Sequence, residues 1–473
     1  MTKTILLTAA AGLAFVASVG TAAAQEARNG NTVEAVLIQN DPSFNGYRYR
    51  SGDVRVAADG SVYVDISEYD YDTGEGFDGL VRVRDGVTTR LLSNYGGTTI
   101  DGRTIDYFGG GIVFGSGGTL YRTAETYDPD TFEYQNFVVR LDADGTASLA
   151  GDLPNGYGAT NPGVGDLTSA SLVGANGGNL FLSGTMVTAT DPFGGVLTRD
   201  GIFVRSANGT VTPVAIQGAP VNGVEGATFE YGYNPIITTD GTLFTNASLI
   251  DPGTGGYVGE ALVAVGTDGS ANIAYQSGQT IGDTDLTSSY ASIHSTDGAG
   301  NLILQSYVYD EDTYEGSDVY FSVSADGTSE FLFDVADLIE GSGFGEGSYF
   351  ESLAVGGEGI AAFTMSEYDY DTDEFRASLF GRTSDGLVTE LLRNGDELLV
   401  NGTLERLTSF YLVTGALAAT GDVVFEAYFE SGLSGLFSVN IFADVAPVPL
   451  PAGALLLVSG LGLGAGLRRA RRS

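Results

Sequence analysis

The 473-residue sequence has no cysteine, no tryptophan, one lysine and one histidine. Without cysteine the chain can form neither disulfides nor thiolate metal sites, and a body of this length does not need them, because its core is large enough. The single histidine, His294, has no second histidine for zinc and no evident serine partner for a catalytic triad. We therefore interpret His294 as a structural residue.

Basic residues are also scarce: 21 Lys and Arg stand against 60 Asp and Glu, which gives a formal net charge of −39. Such a surface repels nucleic acid and anionic lipid and attracts cations and basic partners. The sequence thus argues against a nucleic-acid partner, and solubility is the simplest role of the charge. Acidic residues are so abundant that no particular carboxylate pair indicates glycoside hydrolysis.

Glycine, in contrast, is abundant, and seven of the 70 glycines mark a repeat. The stretch 59–66 has the pattern of a tight turn followed by a strand. Copies of its glycine recur about every 60 residues, at Gly60, Gly118, Gly178, Gly241, Gly300, Gly359 and Gly421. A fixed period is typical of repeat architectures, and short strands with Gly-rich turns predict an all-β fold.

The first repeat contains four predicted strands. They are Asp53–Ala57, a strand that begins at Val62, Gly79–Arg84 and Val87–Ser93, with a loop over Tyr69–Asp78. The second strand alternates apolar and more polar residues, as expected for a sheet with two unlike sides. Four antiparallel strands repeated around a ring describe a propeller blade.

The seventh repeat lacks one strand. It supplies Phe410–Leu417, Asp422–Phe429 and Gly435–Ile441, whereas Thr32–Ile38 resembles the last strand of the other repeats and has no partner nearby. We predict that this N-terminal strand completes the last blade, which would remove exposed sheet edges at the joint. Residues 32–443 would then form a closed seven-bladed β-propeller of four-stranded blades.

Residues 1–24 have the pattern of a secretory signal peptide. Lys3 provides the positive start, and Ile5–Val19 is apolar but too short to span a bilayer. Ala22 and Ala24 are the small residues of a cleavage site before Gln25.

The C-terminal segment, residues 445–473, has three parts in a fixed order. They are the Pro-rich motif Val448-Pro449-Leu450-Pro451-Ala452, the apolar run Gly453–Leu467, and an arginine cluster that begins with Arg468 and Arg469. A short hydrophobic helix followed by a basic stop is typical of a signal that stalls in the membrane. A plain transmembrane tail anchor is the alternative.

This tail resembles the VPLPA-type C-terminal sorting signals of Gram-negative bacteria, relatives of the PEP-type signals that exosortase-like transpeptidases process. The resemblance implies export, transient membrane insertion of the helix, cleavage near the Pro-rich motif, and attachment to the cell surface or release. The body also resembles the choice-of-anchor tandem-repeat proteins, through Gly359-Ile360-Ala361-Ala362-Phe363. That resemblance implies no activity.

Four loops between second and third strands share the pattern Tyr-Asp-x-Asp-Thr. They lie at Tyr69–Thr73, Tyr127–Thr131, Tyr309–Thr313 and Tyr368–Thr372. Carboxylates two residues apart can bind Ca²⁺, but the glycine and distal glutamate of an EF-hand loop are missing, and aspartate also caps its own turn. We interpret the pattern as a turn, with no cofactor, and keep calcium as the alternative. Tyrosines of these loops, namely Tyr69, Tyr71, Tyr368 and Tyr370, could stack on sugars.

These features predict an exported acidic propeller with a structural or binding role at the cell surface or in the extracellular matrix. Extracellular polysaccharide is the partner that the sorting-signal resemblance implies. Two alternatives stay open. One is a glycosidase or lyase, with acid and arginine or histidine converging at the ring axis, and the other is a calcium-dependent adhesin. The residues identify no catalytic group.

Overall fold

The computed structural model describes residues 25–26, 32–39, 46–57, 59–84, 86–94, 97–115, 118–130, 132–154, 165–190, 196–220, 227–238, 240–266, 271–288, 290–297, 299–310, 315–345, 348–369 and 373–442. The predicted processing residues, from Ala22 and Ala24 to Val448–Ala452, Arg468 and Arg469, lie outside these ranges. Within them, no helix is both long and apolar enough to cross a membrane.

The chain begins with β1 (Gln25–Glu26) and β2 (Thr32–Gln39) and then forms successive four-stranded antiparallel sheets, which we call blades. Blade 1 contains β3 (Gly46–Val56), β4 (Val62–Asp70), β5 (Gly76–Arg84) and β6 (Val87–Ser93). After the small hairpin β7 (Thr99–Ile100) and β8 (Arg103–Thr104), blade 2 contains β9 (Tyr107–Phe114), β10 (Leu120–Asp128), β11 (Glu133–Leu141) and β12 (Ala147–Asp152). Blade 3 contains β13 (Leu167–Asn176), β14 (Asn179–Thr190), β15 (Val196–Arg205) and β16 (Val211–Ile216).

The second half of the chain continues the same pattern. Blade 4 contains β17 (Thr228–Ile237), β18 (Leu243–Ile250), β19 (Tyr257–Val265) and β20 (Ala271–Gln276). Blade 5 contains β21 (Ala291–Thr296), β22 (Leu302–Asp310), β23 (Glu315–Val323) and β24 (Ser329–Asp334), and helix α1 (Val335–Ser342) follows it. Blade 6 contains β25 (Tyr349–Val355), β26 (Ala361–Asp369), β27 (Glu374–Arg382) and β28 (Val388–Arg393). The last strands are β29 (Glu397–Val400), β30 (Thr403–Leu417), β31 (Asp422–Phe429) and β32 (Ser434–Asn440). With β1 and β2 they form a six-stranded sheet in the order β1-β2-β32-β31-β30-β29, in which β30, β31, β32 and β2 are the four strands of blade 7.

The repeat glycines hold the turn between the first and second strand of each blade. All seven have positive φ, from 73° at Gly359 to 111° at Gly300. This left-handed backbone conformation is the one that glycine adopts without steric cost. The repeat in the sequence therefore reflects one backbone requirement that recurs in every blade.

Blade 7 is completed by the N-terminal strand, as predicted. β2 pairs antiparallel with β32, with Val33 opposite Val439 and Gln39 opposite Ser434. The first strand of each blade also contacts the first strand of the next blade, and β30 of blade 7 contacts β3 of blade 1. The chain is therefore a closed ring of seven four-stranded blades with the first strands around its axis. The predicted seven-bladed propeller is confirmed.

The core lies between the blades. Each of seven hydrophobic clusters combines side chains of two neighbouring blades, and together they cover all seven joints of the ring. Alternate residues of a second strand point to opposite neighbours: Val64 packs toward blade 7, and Tyr63 packs toward blade 2. The alternation in β4 was thus read correctly as two unlike sides, but both sides are buried.

Several boundaries differ from the sequence prediction. The first strand of blade 1 begins at Gly46, and the predicted loop Tyr69–Asp78 shrinks to a turn because β4 and β5 extend into it. Polar residues such as Glu68 continue the strand because the ladder hydrogen bonds do not depend on side-chain polarity. The short helix α1 was not predicted. Asp334 caps its start by accepting a hydrogen bond from the backbone N of Ala336.

A buried ion pair joins blades 1 and 2. Arg122 of β10 forms a two-pronged contact with both carboxylate oxygens of Asp65 in β4, and its guanidinium lies 4.0 Å from the ring centre of Phe108. Both charged side chains are almost fully buried. A side chain at Gly52 would come within 2.6 Å of an Asp65 oxygen, so glycine is required beside the pair.

Replacing Arg122 by methionine should lower the free energy of unfolding by about 3–5 kcal/mol, because Asp65 would be left buried without a counter-charge. The double variant with Asp65→Leu and Arg122→Met should regain most of that loss. Urea denaturation of the two single variants and the double variant measures both effects. A single variant that unfolds at the wild-type urea concentration would contradict this role for the pair.

Candidate binding face

The two faces of the ring are distinct because every blade has the same orientation. The turns between first and second strands of neighbouring blades meet: Gly60 packs against Asp422, and Gly300 packs against Asp240. The side-chain amide of Asn176 also donates to the carbonyl of Asp240 at 3.3 Å. We call the face that carries these turns the glycine face. The opposite face carries the turns between second and third strands and the connections between blades.

Exposed aromatic side chains are concentrated on that opposite face, which we call the tyrosine face. Among the described residues, every exposed tyrosine or phenylalanine except Phe442 lies in a turn of this face or in the part of a strand nearest to it. They are Tyr49, Tyr71, Tyr107, Phe132, Tyr134, Tyr257, Tyr290, Tyr307, Tyr309, Tyr349, Tyr368, Phe375, Tyr411 and Tyr428. Exposed aromatic patches of this kind mark interaction surfaces more often than they serve stability.

On three successive blades the tyrosines contact one another. The pairs, with the distances between ring centres, are Tyr411 and Tyr428 of blade 7 (6.1 Å), Tyr69 and Tyr71 of blade 1 (5.5 Å), and Tyr127 and Tyr134 of blade 2 (5.0 Å). These tilted and edge-to-face arrangements are the favoured geometries for aromatic pairs. Blades 7, 1 and 2 therefore present a run of mutually supported rings.

In blades 1 and 2, where most of its residues are described, the repeated acidic loop forms a turn that is capped by its first aspartate. The Oδ1 atoms of Asp70, Asp128 and Asp251 accept hydrogen bonds of 2.7–2.8 Å from the backbone N two residues later. Backbone hydrogen bonding lowers the pKa of the Asp251 carboxyl. Asp70 and Asp128 of the pattern, and Asp251 at the corresponding turn of blade 4, thus stabilise their own turns.

The fourth residue after each of these aspartates has a left-handed backbone. Blades 1 and 4 have glycine there, at Gly74 and Gly255, and blade 6 has Asp373, a residue type that tolerates this conformation. Blade 2 has Phe132 instead, with φ 60° and a side chain that is 77% exposed. A bulky residue in this conformation is uncommon, and a side chain that is mostly exposed gains little packing in return.

Calcium binding by these loops is still a hypothesis. The described residues contain no group of three acidic or histidine side chains arranged to hold a metal ion, and several loop residues of blades 5 and 6 lie outside the described ranges. If calcium binds, adding EDTA should lower the melting temperature. An unchanged melting temperature would remove the calcium hypothesis.

Acid and arginine do meet at the joint of blades 7 and 1. The Arg50 guanidinium lies 3.0 Å from a Glu426 carboxylate oxygen, and Gln39 bridges the two residues by accepting from the Arg50 backbone N and donating to Glu426. Burial and the Glu426 charge raise the pKa of Tyr428. Arg50 thus supplies the counter-charge of Glu426.

A separate cleft of about 350 Å³ lies between blades 2 and 3. Its lining includes Asp152, Asp166, Leu182 and Arg205. The cleft lies at the joint between two blades, whereas a propeller enzyme was expected to have acid and arginine converging at the ring axis. It therefore adds no support to the enzyme alternative.

His294 is a packed residue of β21, in agreement with its structural interpretation. Its ring meets Tyr320 edge to face with ring centres 5.1 Å apart, and Tyr320 belongs to the cluster between blades 5 and 6. Burial lowers the pKa of His294 below its ordinary value of 6.5. The surroundings of the imidazole thus disfavour its charged form.

Sequence reasoning identified Tyr69, Tyr71 and Tyr368 as exposed tyrosines. Tyr71 and Tyr368 are exposed on the tyrosine face, whereas Tyr69 lies there half-buried; Tyr370 lies outside the described residues. Sequence reasoning missed Phe132, Phe375 and Tyr411, which lie at other positions of the same face. Phe375 lies at the start of a third strand and Phe132 in the turn before one, whereas Tyr411 lies in the middle of β30. Their place on one face becomes apparent only when the direction of each strand in the ring is known.

No protein-family model and no curated protein matches the chain. Among solved structures it is similar to a polysaccharide lyase (13% identity, 83% of this chain and 90% of that chain, TM-score 0.32). It is also similar to an acylaminoacyl peptidase of Pyrococcus horikoshii (11%, 82% and 52%, 0.39) and to the β-propeller domain of the Trilobed protease from Pyrococcus furiosus (10%, 85% and 99%, 0.39). At this level the similarity concerns the fold and gives no ligand or reaction.

Stability should fall as the pH drops from 8 through 6.5, because the unfolded chain takes up a proton on His294 that the folded chain resists. His294 is the only histidine, so His294→Phe should remove most of this slope. Melting curves of both proteins between pH 8 and 5.5 test it. A variant with the wild-type slope would contradict the assignment.

Proposed function

We propose that this protein is an exported, surface-sorted propeller that binds an extracellular polysaccharide through its tyrosine face. The observation that carries the proposal is the concentration of exposed aromatic rings on one face of the ring. Tyrosine offers a large rigid contact area at a low entropic cost and a hydroxyl for hydrogen bonding. A row of such rings suits a long polymer that makes repeated weak contacts.

The charge of the protein favours one class of polymer. Acidic residues outnumber basic ones by 60 to 21, and arginines near the tyrosine face form ion pairs, as Arg50 does with Glu426 and Arg376 with Glu367. Anionic polymers would be repelled. A neutral polysaccharide meets no such penalty, since its apolar ring faces can stack on tyrosine while its hydroxyls donate to carboxylates.

Phe132 supports a contact role for this face. The corresponding turn positions of blades 1 and 4 are glycine, so the backbone does not call for an aromatic residue. Packing does not require an aromatic residue at this position either, because the Phe132 side chain is exposed. Backbone strain that is retained without a packing gain is typical of functional positions.

Export and sorting are supported by the sequence of the two ends, namely the signal-like residues 1–24 and the Pro-rich motif, apolar run and arginine cluster of the tail. An exosortase-like transpeptidase is the processing partner that we propose. Mass analysis of the mature protein from its native cells should show the loss of both ends. An intact tail in the membrane fraction would contradict sorting and indicate a tail anchor.

Binding can be tested by affinity electrophoresis in gels that contain hydroxyethylcellulose, a neutral glucan, or alginate, an anionic polymer. Hydroxyethylcellulose should slow the wild-type protein and alginate should not. The triple variant Phe132→Ala, Tyr257→Ala and Tyr349→Ala should bind at least about tenfold more weakly, if each ring stacked on a sugar contributes as much as an aromatic pair, roughly 0.5–1.5 kcal/mol. All three side chains are exposed, so the fold should persist.

The matched control is the double variant Val87→Ala and Leu387→Ala, which removes exposed apolar side chains from the glycine face. It should bind like the wild type. Equal losses in both variants, or no retardation by the neutral glucan, would contradict the proposal. Shortening of the polymer during incubation would instead favour a polysaccharide-cleaving enzyme.

A further inference from the structure

Both described ends of the chain lie at the glycine face. β32 runs toward this face, and Asn440 at its end pairs with Asp422 beside the turn glycine Gly421. Ile441 donates its backbone N–H to the Gly421 carbonyl at 2.9 Å. The Phe442 ring packs so closely on Gly421 that a side chain there would overlap it. The last described residues are thus fixed to the face opposite the exposed tyrosines.

The N-terminal end follows the same geometry. β2 is antiparallel to β32, so its first residues, Thr32 and Val33, are near the glycine face. β1 pairs with them, with Gln25 opposite Val33. Gln25 is also the first residue after the predicted cleavage site. A mature chain would therefore begin and leave the ring on one face.

The tether between the ring and the sorting motif is short. Six peptide steps separate Phe442 from Val448, and a fully extended chain spans at most about 3.5 Å per residue, which gives roughly 20 Å. A body of about 400 residues has a radius of gyration of roughly 21 Å and is therefore more than about 40 Å across. A tail of this length cannot pass around the ring to its other face.

We propose that attachment through the tail fixes the orientation of the ring, with the glycine face toward the cell and the tyrosine face toward the matrix. This inference rests on the proposed surface sorting. The polysaccharide site would then face its polymer in every attached molecule. The acidic surface is repelled by an anionic membrane, so the tether, and not adhesion of the ring to the membrane, sets the orientation.

The absence of cysteine allows a direct test, because an introduced cysteine is the only thiol in the chain. Val87→Cys and Leu387→Cys label the glycine face, and Phe132→Cys and Tyr257→Cys label the tyrosine face; all four positions are exposed. Each full-length variant is produced in its native cells and treated with a small membrane-impermeant maleimide or with a bulky maleimide–poly(ethylene glycol). The purified proteins give the reference rates.

A second set of variants carries a Gly/Ser insert of about 30 residues after Phe442, which adds a mean reach of roughly 30 Å. With the natural tether, the bulky reagent should react with glycine-face cysteines at least about tenfold more slowly on cells than on purified protein. The insert should abolish that difference. Tyrosine-face cysteines should react at a rate that does not depend on the tether, whether or not polysaccharide covers them.

The two proposals fail in different ways. Glycine-face cysteines that react equally fast with both tethers would overturn the orientation and leave surface sorting intact. If the small reagent reaches no cysteine on intact cells, or if all the protein is found in the medium, surface attachment fails and the orientation fails with it.

Discussion

Each blade of this protein has two apolar sides, and neither can be buried without a neighbour. The second strand of blade 5 shows this most clearly. Its residue Ile303 packs toward blade 6, whereas Leu302 and Leu304 pack toward blade 4. A row of blades would leave two apolar sides in water, and a ring leaves none. Closure by β2 is therefore the condition on which the whole core depends.

The sequence predicts those parts of the fold that repeat one local requirement. The turn glycines were found because left-handed backbone recurs at the same place in each blade, and the strand β2 was assigned because blade 7 was one strand short. The Asp65–Arg122 pair could not be found in this way, since its partners are 57 residues apart and each occurs in one blade only. The length of β4 was missed because ladder hydrogen bonds extended a strand through polar residues.

The candidate site was predictable only in part for a related reason. Tyr69 and Tyr71 stand in a repeated loop and attract notice, whereas Tyr411 and Tyr349 lie within strands and look like core residues in the sequence. Their exposure follows from their place on the innermost strands near one face, which depends on ring closure and strand polarity. The two faces then differ in chemistry: the repeat glycines and the described chain ends lie on one, and the exposed aromatic rings, except Phe442, lie on the other.

The most direct test of this two-faced account is hydroxyl-radical footprinting of the protein with and without hydroxyethylcellulose. The account predicts protection of exposed rings on the tyrosine face, such as Phe132, Tyr257 and Tyr349, and unchanged oxidation of Leu387 and Phe442 on the glycine face. Protection of the glycine face, or equal protection of both faces, would contradict it.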